Sequence, residues 1–89
     1  MPFPYVLQIV IDEIRNKVNE GIAPIQLSEK IFNETTHIAD LSLDSLGKLQ
    51  LITAVEDKAD VLLGDGDLHN LQTLGDLAQV VVNARQVAV

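Results

Sequence analysis

Ser45 carries the most chemical potential in this chain. It sits in Asp40-Leu41-Ser42-Leu43-Asp44-Ser45-Leu46, where an irregular stretch gives way to an apolar helical pattern. The start of a helix has free backbone N–H groups and the positive end of the helix dipole, a combination that favours phosphate. A Ser or Asp at such a place also reads as a helix cap. No His or Lys adjoins Ser45, so its hydroxyl is a poor nucleophile by itself. A triad of Ser45, His37 and Asp44 would need a fold that these residues do not imply. The run Asp65-Gly66-Asp67 before His69 lacks the ligand pattern of a calcium loop and reads as a turn with a helix cap. His37 and His69 have no ligand partner at fixed spacing. Cysteine is absent, which removes disulfides, thiolate metal sites and cysteine nucleophiles together. Neither a catalytic residue nor a metal site is expected.

The elements that would position Ser45 are helical. Leu7, Val10, Ile11, Ile14 and Val18 form one apolar stripe, predicting a first helix from about Pro4 to Glu20 with Gly21 as its stop. Asp12, Glu13, Arg15, Asn16, Lys17 and Glu20 fall on its polar side. Residues 22 to 44 show no single period, and Pro24 excludes a continuing helix. Their scattered Ile and Leu predict a long loop that packs on the body, with a short turn of helix near Ser28 to Phe32. The second helix is predicted from Ser45 to Ala59 or slightly beyond. Leu51, Ile52, Val55, Ala59 and Leu62 make its core side, with Leu46, Leu49, Gln50, Thr53, Glu56, Asp57 and Asp60 opposite. After a turn at 64–67, Asp67 can cap a short third helix through Leu68 to Leu71. Thr73-Leu74-Gly75-Asp76 has capping-box spacing and opens a fourth helix to about Arg85, with fraying expected at Val87 to Val89.

Composition bounds what such a body can do. Eighty-nine residues make one domain, 1–89, near the lower end of what folds unaided. A deep enzymatic pocket is hard to fit in so small a bundle. The core is aliphatic, since 47% of residues are hydrophobic and the aromatics are two Phe and one Tyr. Thirteen acidic side chains against six basic ones give a formal charge of −7, which opposes binding to nucleic acid or an anionic membrane surface. It favours encounter with basic patches on protein partners. No apolar stretch is long enough to span a bilayer, and the N-terminus lacks the basic region of a signal peptide. A monomeric, cytoplasmic binding or carrier module is the expectation.

Asp40, Leu41, Asp44, Ser45 and Leu46 match the acyl carrier signature Asp-Leu-Gly-x-Asp-Ser-Leu, and Ser42 stands where that family has glycine. The chain resembles the family over nearly its whole length, from the first helix and long loop to the capped fourth helix. The resemblance implies an all-α, four-helix carrier bundle with a short third helix. It also implies covalent 4'-phosphopantetheine on Ser45, moved from coenzyme A by a Mg²⁺-dependent phosphopantetheinyl transferase. Asp44 would help present the serine, with Leu46 beside it, and the reactive thiol would come from the arm. Acyl intermediates of fatty-acid, polyketide or other specialised lipid biosynthesis would be the cargo.

The resemblance further implies a partner face on the second helix: Leu46, Leu49, Gln50, Glu56 and Asp57, meeting basic patches on ketosynthases, acyltransferases or acyl ligases. Glu56 and Asp57 match the family's later acidic positions. Gly47 and Gln50 stand where acids are common, with Lys48 between them and Lys58 further on. That departure points to a specialised system rather than to housekeeping fatty-acid enzymes. Two other readings are an aminoacyl or peptidyl carrier, and an unmodified helical adaptor using the face of Leu46, Leu49, Glu56 and Asp57.

Overall fold

A computed structural model describes residues 2–84. Three α-helices carry the architecture: α1 (Phe3–Asn19), α2 (Ser45–Ala59) and α3 (Leu74–Asn83). Three short 3₁₀ turns, Ile25–Glu29, Ile38–Leu41 and Asp65–Leu68, punctuate the connections. The fold is all-α, as the sequence implies, but the short third helix is a 3₁₀ turn rather than a fourth α-helix. It also lies earlier than the Leu68–Leu71 expected. Gly64 precedes it, and Asp67 works from inside the turn, its carboxylate accepting the Gly64 N–H at 2.9 Å. Among the described residues no helix is long and apolar enough to cross a membrane.

The packing centres on α1, which touches both α2 and α3. Val6, Val10, Ile14 and Val18 recur every fourth residue and are buried, with Leu7 and Ile11 half-buried at the margin. Covering α1 on two sides also takes Glu13 and Lys17 inside, at 5% and 7% exposure, although their pattern placed them on the polar side. The burial is tolerated because the charges have partners. Lys17 Nζ lies 4.0 Å from Glu13 Oε1 and 3.3 Å from Glu20 Oε2, and Asn16 Nδ2 donates to Glu13 Oε2 at 2.9 Å. Gly21, at φ 79°, ends α1 in the left-handed conformation that glycine adopts without penalty.

The long loop packs down, as its Ile and Leu content suggests, but its first turn lies at Ile25–Glu29 rather than near Ser28 to Phe32. Ala23, Leu27, Phe32 and Leu41 are its buried anchors, and the Arg15 guanidinium sits 5.5 Å from the Phe32 ring centroid. Its second half is tied to the start of α3. Ile38 N donates to Gln72 O at 2.8 Å, Leu74 N to Thr36 O at 2.9 Å, and Gly75 N to Glu34 O at 2.9 Å. That crossing is so close that a Cβ on Gly75 would stand 2.8 Å from Glu34 O. Thr73 and Asp76 complete a reciprocal capping box: Asp76 N donates to Thr73 Oγ1 and Thr73 N to Asp76 Oδ2, both at 3.1 Å.

On α2, Leu51, Val55 and Ala59 are buried and Ile52 is half-buried. Leu62 departs from the predicted core face and is 74% exposed, while Val61 is buried in its place. The cause is Asp60, whose φ of 55° ends the helix and turns the chain before residue 62. Leu74, Leu77, Ala78 and Val81 of α3 are buried as their spacing predicts, whereas Arg85 and the 87–89 tail lie outside the described residues.

Candidate functional site

The start of α2 divides its work between two side chains. Asp44 is the cap residue: its Oδ1 accepts the Gly47 N–H at 2.7 Å and its carbonyl accepts the Lys48 N–H at 2.9 Å. Ser45 is the first helical residue and is exposed, and its hydroxyl bonds to no other described residue. The cap is therefore made without the serine. Leu46 follows at 62% exposure.

Comparison with α3 shows what this leaves open. The first three N–H groups of α3 are taken by Thr36 O, Glu34 O and Thr73 Oγ1. At α2 the third N–H goes to Asp44, while those of Ser45 and Leu46 find no acceptor among the described residues. Two free amides at the positive end of a 15-residue helix, beside an exposed hydroxyl, suit a phosphodiester. The residues present thus fit the phosphopantetheine group that the resemblance implies.

The chain enters α2 through a strained residue. Ser42 closes the Ile38–Leu41 turn at φ 55°, ψ 34°, the left-handed region. This is the position where the signature has glycine, so the substitution falls where a Cβ is costly. Leu41 beside it is fully buried and anchors the approach.

Beyond Ser45, the outward face of α2 presents Leu49, at 57% exposure, with Gln50 and Asp57, both exposed. Leu49, Gln50 and Asp57 line a shallow groove of about 360 Å³ with Ile22 and Lys17 from the end of α1 and its loop. Glu56 differs from the others. It is half-buried, and its Oε2 accepts the Leu63 N–H at 2.8 Å, holding the chain after α2. Gly47 is buried, and a Cβ there would stand 3.2 Å from Asp44 Oδ1 and 3.3 Å from Leu43 Cδ2. A side chain at 47 would leave the helix against the cap.

Behind this face lies a cavity of about 150 Å³ between α2, the Asp65–Leu68 turn and α3. Leu51, Ile52, Leu68, Leu71 and Leu77 line it together with Ile38 and Lys48. Sequence reasoning counted Lys48 only as a charge on the partner face. Its spacing from Leu51, Ile52 and Val55, at i+3, i+4 and i+7, is the signal that sets it beside the core arc. Among the described residues no group of three or more His, Asp or Glu side chains is placed to hold a metal ion.

Comparison with known proteins accords with this form. The family model for the phosphopantetheine attachment site matches residues 12–81. Over 75 residues the chain is 31% identical to an acyl carrier protein of Acidothermus cellulolyticus, spanning 84% of this chain and 79% of that one. An acyl carrier protein of Clostridium perfringens is 30% identical over 79 residues, 89% of this chain and 91% of its own. One from Buchnera aphidicola is 41% identical over 46 residues, 52% of this chain and 58% of its own. No solved structure matches the chain. The chain belongs to the acyl carrier protein family and contains a phosphopantetheine attachment site. It is a carrier rather than an enzyme, and works through phosphopantetheinyl transferases and biosynthetic enzymes.

Proposed function

We propose that Ser45 is the attachment residue and that the chain, a single carrier domain, carries acyl intermediates of a specialised lipid or polyketide pathway. The observation that carries this reading is the separation of roles at α2: Asp44 caps the helix, and the Ser45 hydroxyl is left exposed and unbonded. When attached, phosphopantetheine supplies the thiol on which acyl groups are held. The free N–H groups of Ser45 and Leu46 offer donors for its phosphodiester, and Asp44 keeps the backbone that presents them in place. Leu46 gives a transferase an apolar contact next to the hydroxyl.

Leu46, Leu49, Gln50 and Asp57 form the face for a ketosynthase, acyltransferase or acyl ligase with a basic docking patch. The exposure of these side chains and the formal charge of −7 support it. The specialised assignment rests on Gln50, Lys48 and Lys58, which dilute the negative charge along α2. The test is intact mass after incubation with a promiscuous phosphopantetheinyl transferase, coenzyme A and Mg²⁺. One phosphopantetheinyl group should be added to wild type and none to Ser45→Ala. Modification persisting in the folded variant would remove Ser45 from the assignment.

A further inference from the structure

Lys17 is a buried cation with donors to spare. It is 7% exposed, and an ammonium can donate three hydrogen bonds. One goes to Glu20 Oε2 and is long at 3.3 Å, while Glu13 Oε1, at 4.0 Å, lies beyond hydrogen-bonding distance. The Glu20 side chain is itself 52% exposed, so it holds the ammonium only loosely.

Lys17 and Glu20 form one wall of the groove between the end of α1 and α2. Across from them Gln50, Thr53 and Asp57, all exposed, supply an amide, a hydroxyl and a carboxylate. Leu49 stands in the same groove, one turn after Ser45 and hence about 5–6 Å from it between Cβ atoms. The groove therefore opens beside the serine and runs away from it along α2. Its walls carry charges of both signs, so a strongly charged occupant meets repulsion whichever sign it bears. A neutral chain rich in amides does not: its carbonyls accept from Lys17 and its N–H groups donate to the carboxylates.

The phosphopantetheine arm is such a chain, with two amides and one hydroxyl. At about 3.5 Å of advance per three bonds, its two amide carbonyls stand about 8 and 13 Å from the Cβ of the serine that bears it. Along α2, Gln50 and Thr53 lie about 8 and 12 Å beyond Ser45. The cavity behind α2, lined mainly by aliphatic side chains, would leave most of those amide groups without partners.

Resting on attachment at Ser45, we propose that the groove between α1 and α2 is the resting site of the arm and that Lys17 holds it there, its ammonium donating to an amide carbonyl of the arm. Leu49, Gln50 and Asp57 also belong to the proposed docking face, so a partner arriving on that face displaces the arm from the groove and frees its thiol.

The test compares apo and holo forms of isotope-labelled protein by NMR, the holo form being made with unlabelled coenzyme A and checked by mass. Holo protein should show NOEs from the pantoyl methyls of the arm to Leu49 and from its β-alanyl methylenes to Thr53. Shift changes between apo and holo should run from Ser45 through Gln50 and Thr53 to Lys17. Glu13→Gln alone keeps the Lys17 donors and should keep these signals. Adding Lys17→Met to it strands no buried charge and should lower the ratio of groove-bound to free arm roughly three- to tenfold, the factor one net hydrogen bond supplies. Thr53→Trp, a change at an exposed position that fills the groove, should abolish the NOEs, and it tests the site even where the double variant fails to fold. Equal NOEs in Glu13→Gln and in the double variant overturn the role of Lys17. NOEs that survive Thr53→Trp, or wild-type shift changes at Leu71 and Leu77 in place of the groove, overturn the resting site. Failure to gain the mass, or its gain by Ser45→Ala, overturns the attachment itself, so the mass check separates the two failures.

Discussion

Asp44 and Gly47 are joined by a 2.7 Å hydrogen bond that closes the first turn of α2 across Ser45 without using it. The serine is thereby held at a fixed place on a rigid element and has no structural duty of its own. Asp44→Ala should cost about 0.5–2 kcal/mol, the usual range for loss of a cap. Ser45→Ala should stay within about 0.5 kcal/mol, as for an exposed residue away from special features. Urea denaturation of both variants checks this, and equal losses would mean the serine shares the cap.

Ser42 offers a test in the opposite direction. At φ 55° it occupies left-handed backbone, where a Cβ is unfavourable and glycine is not. Ser42→Gly should raise stability by about 0.5–1 kcal/mol, the strain relieved outweighing the extra freedom of glycine in the unfolded chain. A fall in the urea midpoint would show that the serine hydroxyl or its stiffness matters more than the strain.

Gly75 is needed for space rather than for its torsion angles. With Glu34 O 2.8 Å from where a Cβ would be, Gly75→Ala has to push the loop from the start of α3. The expected loss is about 1–3 kcal/mol, in the range of overpacking. The loop tie Gly75 N to Glu34 O should also weaken, visible as faster amide exchange at Gly75.

Local chemistry made the helix limits readable. The Thr73–Asp76 box, Gly21 after α1 and the Asp44-Ser45 pair each act within one helical turn, so their spacing alone marks a boundary. What depended on distant contacts was not readable. Glu13 and Lys17 look like surface charges until α1 is covered on two sides. The anchoring of Phe32 beneath Arg15 joins residues far apart in sequence, and no period announces it. Leu62 was misplaced because the pattern of α2 was extended through Asp60, where the backbone turns left-handed. At the site, Ser45 and Asp44 were legible from type and order, but which of the two caps the helix was settled only by geometry. Lys48 carries a surface charge, and only its spacing from Leu51, Ile52 and Val55 sets it beside the core arc.

Acid should weaken the start of α3. The exposed Asp76 carboxyl is held below its ordinary value by the backbone N–H of Thr73, then by that of Gln72; the Thr73 hydroxyl and His37 add to this, against an opposing desolvation. A carboxyl with a lowered folded value contributes stability that is fully present above its unfolded value, near 3.9, and is lost as pH falls through the folded one. Wild type should therefore lose stability as pH drops below about 4. Asp76→Asn, which keeps an acceptor oxygen but does not titrate, should lose less over the same range. Parallel curves of urea midpoint against pH for the two proteins would exclude Asp76 as a source.

Glu56 and Asp57 are adjacent in sequence but face different tasks, and separating them tests the docking face. Glu56 Oε2 accepts the Leu63 N–H at 2.8 Å, whereas Asp57 is exposed and lines the groove beside Leu49 and Gln50. Glu56→Ala should lower stability by about 1–3 kcal/mol, since it leaves a partly buried N–H without its partner. Asp57→Lys should leave stability within about 0.5 kcal/mol. It should instead slow association with a basic partner enzyme and flatten the salt dependence of that rate, because rim charges act mainly on encounter and are screened by salt. Stopped-flow association at low and high salt, set beside the urea midpoints, distinguishes the two effects. If Asp57→Lys leaves the low-salt rate unchanged, the partner does not approach along this side of α2. If Glu56→Ala slows association while stability holds, the carboxylate serves the partner rather than the loop after α2.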